Sequence, residues 1–591
     1  MPAASLQTSR RKGGGIVIRG LKTIWRPAVF AAAVVLATAF VNDWGVRRQV
    51  GPGQVFLGFT QRDVPLYYAY AREVFERGNG LLYPNPYEWE REPDRIYCQL
   101  VFILTGGLWW LTGAPMPALD LALRLGLGFA TLMLLWRLLG RLLPSSRLRW
   151  GAFVFASLCG GLAWAVALGR MAAGGSSFLQ AFVEIERGYR GWFFLWRQLF
   201  LATELFYHCL AFGVFLGLAT GRNGLALALL FLTWWSHPFT GLQAGAIAAL
   251  FLLFGLVANR GRGLRDWAWW GAVVALNAAA CVYYGPFLES FESHRAMTEL
   301  WVFADLRVFP GEVAVAHGVW IALSLPALFD ARFRRWVART RGGRLWAAWL
   351  IATVVLMSVH RLPFLKQPSQ PLHFERGYLL TALAIAASWS LRWIGLRLAC
   401  VWGGPAQSTR GAVSRRLFAV LAAMALVVTI PDSVFYLKKH FKVEVWQDRV
   451  AVIPRADWEV VEWFQREAIV RRSKSRHPEY ERILVLEANP VGGLDYLLPT
   501  FTPYMTALGH LYNTTHYQAK RRLMKEQWLG QSDRLMRGFR PQYVVQPRDR
   551  PAPRFETGAS LKVFANDFWA VYGDSSDSSP SAPPPLAAGL R

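Results

Sequence analysis

Residues Pro27 to Trp44 read PAVFAAAVVLATAFVNDW and follow a basic stretch holding Arg10, Arg11, Lys12, Arg19, Lys22 and Arg26. A run this apolar matches the ~17–25 residues that a helix needs to cross a bilayer. It lacks a small-residue cleavage site, so it reads as an uncleaved first span with its basic end in the cytoplasm. Further apolar runs of spanning length begin near Tyr97, Leu119, Trp150, Ala202, Leu225, Thr240, Trp267, Val313, Leu345, Gly377 and Leu417. The fold class is therefore an α-helical polytopic membrane protein of about 11–13 spans.

Composition agrees. Of 591 residues 54% are hydrophobic and 17% charged, against roughly 25% charged in soluble proteins, which excludes a soluble enzyme. The net charge of +27 does not point to nucleic acid, because the arginines fall in short clusters between the apolar runs, as the positive-inside bias requires. Its partner is the lipid membrane. The five cysteines have no paired spacing, which argues against a disulfide framework and a zinc site.

Clusters such as Arg137/Arg141/Arg147/Arg149, Arg260/Arg262/Arg265 and Arg332/Arg334/Arg335 recur on every second connection. These connections read as cytoplasmic, which leaves segments 46–96, 170–200, 287–311 and 360–374 and everything after about Pro431 outside. That alternation holds if the Gly-interrupted run from Tyr97 to Leu111 lies in the interface or re-enters, or if a span elsewhere is miscounted. The chain divides into a cytoplasmic N-terminus (1–26), a multi-span region (27–435) with a large first outer loop (45–96), an extracytoplasmic α/β domain (436–573) and a Ser/Pro-rich disordered tail (574–591). In the α/β domain Asp457–Ala468 and Thr515–Leu529 read as amphipathic helices, the first with Asp457 as N-cap, and Ile483–Leu486, Tyr543–Val545, Leu561–Phe564 and Phe568–Tyr572 as strands. The expected location is the plasma (inner) membrane.

The first outer loop contains FLGFTQRDVPLYYAYARE, Phe56 to Glu73. Pro65 suits the first turn of a helix and Asp63 is placed to cap it. Helical geometry reaching back to Asp63 puts Tyr67 (i+4) and Tyr70 (i+7) on its face. A carboxylate among aromatic rings at a membrane surface fits a general base in a sugar-binding cleft as well as it fits a cap.

Here the sequence resembles the GT-C superfamily of polytopic membrane glycosyltransferases. The likeness runs from Trp25 to about Tyr97, with the further acids Glu88, Glu90, Glu92 and Asp94, and continues as architecture. An Asp-Asp or Asp-Glu pair at Asp63 and a WWD signature are both lacking, so the acceptor (glycan, lipid or protein) stays open. The resemblance implies transfer of a sugar from a polyprenyl-phosphate-linked donor on the outer face, with Asp63 as catalytic base or as ligand of a divalent metal.

Such a donor brings a phosphate, and cationic groups converge at one membrane face. His360, Arg361 and Lys366 end one span, and His373-Phe374-Glu375-Arg376 opens the next. Arg361, His373 and Arg376 are the candidate phosphate contacts, although Arg361 also fits a snorkelling helix-end arginine. His237 ends another span on that face, as a sugar or pyrophosphate contact or as a helix cap. Glu184, with Glu186, Arg187 and Arg190, supplies acceptor contacts or a solvated charged face. The alternative functions are a transporter or flippase of lipid-linked glycans and a non-catalytic membrane assembly subunit.

Overall fold

The computed structural model describes residues 15–61, 63–88, 93–174, 177–188, 193–258, 263–303, 307–359, 370–402, 407–441, 450–474, 481–487, 493–556 and 559–575. The tail beyond 575 and the residues before 15 lie outside it.

Seven helices among the described residues are long and apolar enough to cross a membrane: Ile24–Gly45, Met116–Leu142, Ala202–Thr220, Pro238–Ala258, Pro310–Phe329, Tyr378–Val401 and Gly411–His440. Two bent pairs, Ser146–Leu158 with Ala163–Ala172 at 51° and Leu264–Phe287 with Glu292–Trp301 at 91°, raise the number to nine. The difference from about 11–13 spans has physical reasons. The runs from Tyr97 and Leu225 form the short helices Leu100–Thr112 and Asn223–Trp234, of 13 and 12 residues. The run from Leu345 forms a 17-residue helix, Arg341–Met357.

The first bent pair illustrates how broken backbone is tolerated in an apolar setting. At the break, buried Asp432 accepts from the backbone N–H of Gly161 at 2.8 Å and of Trp164 at 3.2 Å, which satisfies the exposed helix start. Arg197 holds that carboxylate at 3.6 Å and Glu186 at 2.7 Å.

The C-terminal α/β unit is a five-stranded sheet in the order β4-β3-β5-β7-β6. Its strands are β3 (Arg482–Val485), β4 (Met505–Thr506), β5 (Tyr543–Pro547), β6 (Ser560–Ala565) and β7 (Trp569–Asp574). β3 runs parallel to β4 and β5, and β7 antiparallel to β5 and β6. Strand alternation divides its faces: Ile483 and Val485 pack with Val460, Val461, Trp463 and Phe464 of helix Arg455–Lys474, whereas Leu484 and Val544 pack with Tyr517 and Met524 of helix Tyr517–Trp528. Asp457 is not the N-cap expected of it. It sits inside the first turn and accepts from Trp569 Nε1 at 2.8 Å.

This unit is built into the long loop that follows the first apolar helix. β1 (Gln54–Phe56) pairs antiparallel with β2 (Val452–Pro454), and Leu57, Phe59, Val64, Leu66 and Tyr68 share one apolar cluster with Val460, Trp463 and Leu497. The loop's segment Asp63–Phe75 is therefore a helix held from above by the domain and from below by helix Leu100–Thr112, where Gly106 lets the two approach: a Cβ there would lie 2.9 Å from Ala71.

Candidate functional site

Between these layers lies a cavity of about 1070 Å³. Its walls come from the helix Asp63–Phe75, the starts of helices Ala202–Thr220 and Pro238–Ala258, the turn 370–376 and the loop 509–513 of the α/β domain. Asp63, Tyr67, Tyr70, His237, His373 and Arg376 all line it.

The i, i+4, i+7 spacing does what it predicts. Tyr67 and Tyr70 each stack on Phe102, with ring centres 5.2 Å apart in both cases. Burial first, and then the Asp63 carboxylate, pushes the Tyr67 phenol well above its ordinary value, so it stays a neutral hydrogen-bonding group. Both oxygens of Asp63 are engaged: Oδ1 accepts from His510 Nε2 and Oδ2 from Gln61 Nε2, each at 2.8 Å.

On the facing wall the buried Arg376 donates through Nη1 to Glu204 and through Nη2 to His373 Nδ1. It does so from a strained backbone with φ of +30°. The following Gly377, at φ +84°, has no room for a Cβ, which would meet the Leu195 backbone at 2.6 Å. Glu375 holds the same turn by accepting from the Gly377 N–H at 2.9 Å and pairing with His317 at 2.9 Å. His373 stacks on Phe239 with centres 4.4 Å apart. Burial, and then Arg376, lowers the His373 imidazole well below the usual histidine range, so it is neutral, and because its Nδ1 accepts from Arg376 its proton is on Nε2. His237 stacks on Tyr207 at 4.5 Å, and its Nδ1 accepts from the Thr240 N–H at 3.3 Å. It too carries its proton on Nε2 and caps helix Pro238–Ala258 while lining the cavity.

One expected residue stands elsewhere. Glu184 is exposed on the amphipathic helix Phe178–Gly188, beside Gln180 at 3.4 Å and Arg170 at 3.9 Å, away from the cavity lining. Arg361 lies outside the described residues. Among the other loop acids, Asp94 accepts from Ser293 at 2.9 Å and buried Glu88 does not line the cavity. Glu204 and His510 also line the cavity and are absent from the sequence-based set. Glu204 is embedded in an apolar helix, and each meets its partner in the cavity, Arg376 and Asp63 respectively, from far away in sequence. Among the described residues no group of three or more His, Cys, Asp or Glu stands together to hold a metal ion.

The site can take a proton at one wall and offer a guanidinium and two imidazole N–H groups at the other. No protein-family model matches the chain, and no curated protein matches it in sequence. Solved structures do match. The archaeal oligosaccharyltransferase AglB from Archaeoglobus fulgidus, in complex with an inhibitory peptide and a dolichol-phosphate, superposes with a TM-score of 0.50 at 9% identity, over 89% of this chain and 70% of that one. The arabinofuranosyltransferase AftD from Mycobacteria gives 0.48 at 16% identity over 93% and 41%, and ArnT from Cupriavidus metallidurans in the apo state 0.43 at 14% over 93% and 98%. With its many apolar helices, the long loop after the first of them and its C-terminal α/β unit, the chain has a fold similar to that of the AglB oligosaccharyltransferase structure.

Proposed function

We propose that this protein is a membrane glycosyltransferase that moves a sugar from a polyprenyl-phosphate-linked donor to an acceptor hydroxyl on the extracytoplasmic face. The observation that carries this reading is convergence: Asp63, His237 and Arg376, far apart in the chain, line one cavity with Tyr67, Tyr70 and His373. The AglB structure, of like fold, holds a dolichol-phosphate, which is the carrier chemistry proposed here.

Asp63 is the base. It takes the hydroxyl proton while the acceptor oxygen bonds to the anomeric carbon, and the bond from that carbon to the phosphate oxygen breaks with its electron pair on the lipid phosphate. Arg376, His373 and His237 receive the phosphate, with Glu204 aiming the guanidinium. Tyr67 and Tyr70 pack the sugar. The acceptor is a hydroxyl of a glycan, lipid or protein.

Asp63→Asn tests this, since it keeps the carboxylate's shape and removes the base. Transfer should fall by roughly 10²–10⁴ in a protein that inserts and unfolds like the wild type. Full transfer by that variant would exclude Asp63 as the base.

A further inference from the structure

The contact between Asp63 and His510 joins residues 447 positions apart, and the loop carrying the histidine is fixed from three sides. Asn85 donates to the Asn513 carbonyl at 2.6 Å, and Trp301 Nε1 to the Tyr512 carbonyl at 2.6 Å. The Tyr87 ring covers Gly509 so closely that a Cβ there would lie 2.1 Å from it. Tyr87 is in turn held by Lys520, whose ammonium donates to its carbonyl at 2.7 Å. The first outer loop, the bent pair ending at Trp301 and the α/β domain thus all converge on these residues.

The ring's proton is placed as firmly as the ring. His510 Nδ1 accepts from the Tyr512 N–H at 3.3 Å and from the Asn513 side-chain amide at 2.8 Å. That leaves Nε2 as the protonated nitrogen, and it points at Asp63 Oδ1. With Nδ1 turned to the backbone and amide of its own loop, the ring meets Asp63 through Nε2, and what it does for the carboxylate is orientation.

We propose that His510 is a positioning residue of the transfer reaction: its Nε2–H holds Oδ1 of Asp63 so that the carboxylate faces the acceptor hydroxyl, and the α/β domain thereby completes the active site. The proposal rests on the reading of Asp63 as base. In the transfer step the hydroxyl proton ends on Asp63, His510 keeps its own, and the phosphate leaves with the electron pair of the broken bond.

The test contrasts two replacements in the full-length protein purified in detergent. His510→Phe keeps a ring and loses the donor; His510→Gln loses the ring and keeps an amide N–H of similar reach. The donor is the lipid extract of metabolically labelled cells that make the protein, and the acceptor is envelope from the same cells lacking it. His510→Phe should lower kcat on the order of 10- to 100-fold, the loss of a charge-assisted hydrogen bond, with the apparent KM for donor within about twofold, and His510→Gln should retain most of the rate. In the Asp63→Asn background His510→Phe should change the residual rate by less than about twofold, because a residue acting through Asp63 has nothing left to orient. A Phe variant as active as the Gln variant, an equal loss in the Asp63→Asn background, or failure of both variants to accumulate would make His510 a packing residue and overturn the proposal. A fully active Asp63→Asn protein would instead remove the base reading, a separate result.

Discussion

Replacing Arg376 by alanine separates what the guanidinium does for the fold from what it does for the donor. Arg376 and Glu204 are 3% and 4% exposed and directly paired. Alanine keeps the Cβ, so the strain at φ +30° is unchanged and the lost pair dominates. Leaving one partner of a buried pair uncompensated costs about 3–5 kcal/mol, a drop of about 2–4 °C in the unfolding midpoint in detergent for a chain of 591 residues. Adding Glu204→Gln to Arg376→Ala removes the stranded charge and should recover at least half of that loss, whereas transfer from the lipid-linked donor stays about 10–100-fold down. Arg376→Lys should restore part of the transfer, since an ammonium does not reproduce the two-pronged contact to Glu204 and His373. A single variant as stable as wild type, or a double variant no more stable than the single, would refute the energetic reasoning. Transfer restored in the double variant would remove Arg376 from donor binding.

Gly509→Ala should cost about 1–3 kcal/mol by overpacking and reduce transfer by shifting the His510 loop, and trimming Tyr87 to Leu in the same chain should return both; thermal unfolding and the transfer assay read the two effects. Glu487 in the α/β domain supplies a pH signature. Burial, and then Asp457, raises its carboxyl from 4.5 to about 7, so the folded chain keeps a proton that the unfolded chain releases. Its contribution to stability is fully present below pH 4.5 and is lost as pH rises to about 7. Thermal unfolding at a series of pH values should show that slope, and Glu487→Gln should flatten it.

What the sequence reveals of this site follows from the range over which its residues interact. Asp63, Tyr67 and Tyr70 obey a local rule, the helical repeat after Pro65, and are legible together. His373 and Arg376 lie three apart at the mouth of an apolar run, where cationic side chains stand out. Glu204 interrupts an apolar helix and its partner comes 172 residues later, a pairing that no local pattern encodes. His510 sits in a loop whose one nearby irregularity is Gly509, and the need for glycine arises from the Tyr87 ring, which only the fold brings there. Asn513 matches a glycosylation acceptor in sequence, yet its amide is bonded to His510. The strands of the α/β domain are legible as short apolar runs, β5 and β7 being buried along almost their whole length, and its two longest helices as amphipathic ones. The number of spans is less legible, because hydropathy registers an apolar run without showing where its helix stops.

The pairing of β1 with β2, the bond from Gln49 to the Phe441 carbonyl and the meeting of Asp63 with His510 also set an order of events during synthesis. The loop after the first apolar helix leaves the ribosome hundreds of residues before the segments that hold it in place. Until residue 510 has been delivered to the same side of the membrane, the Asp63 carboxylate lacks its His510 contact and the cavity lacks one wall. A chain truncated before residue 510 should therefore insert normally yet transfer far less than the full-length protein.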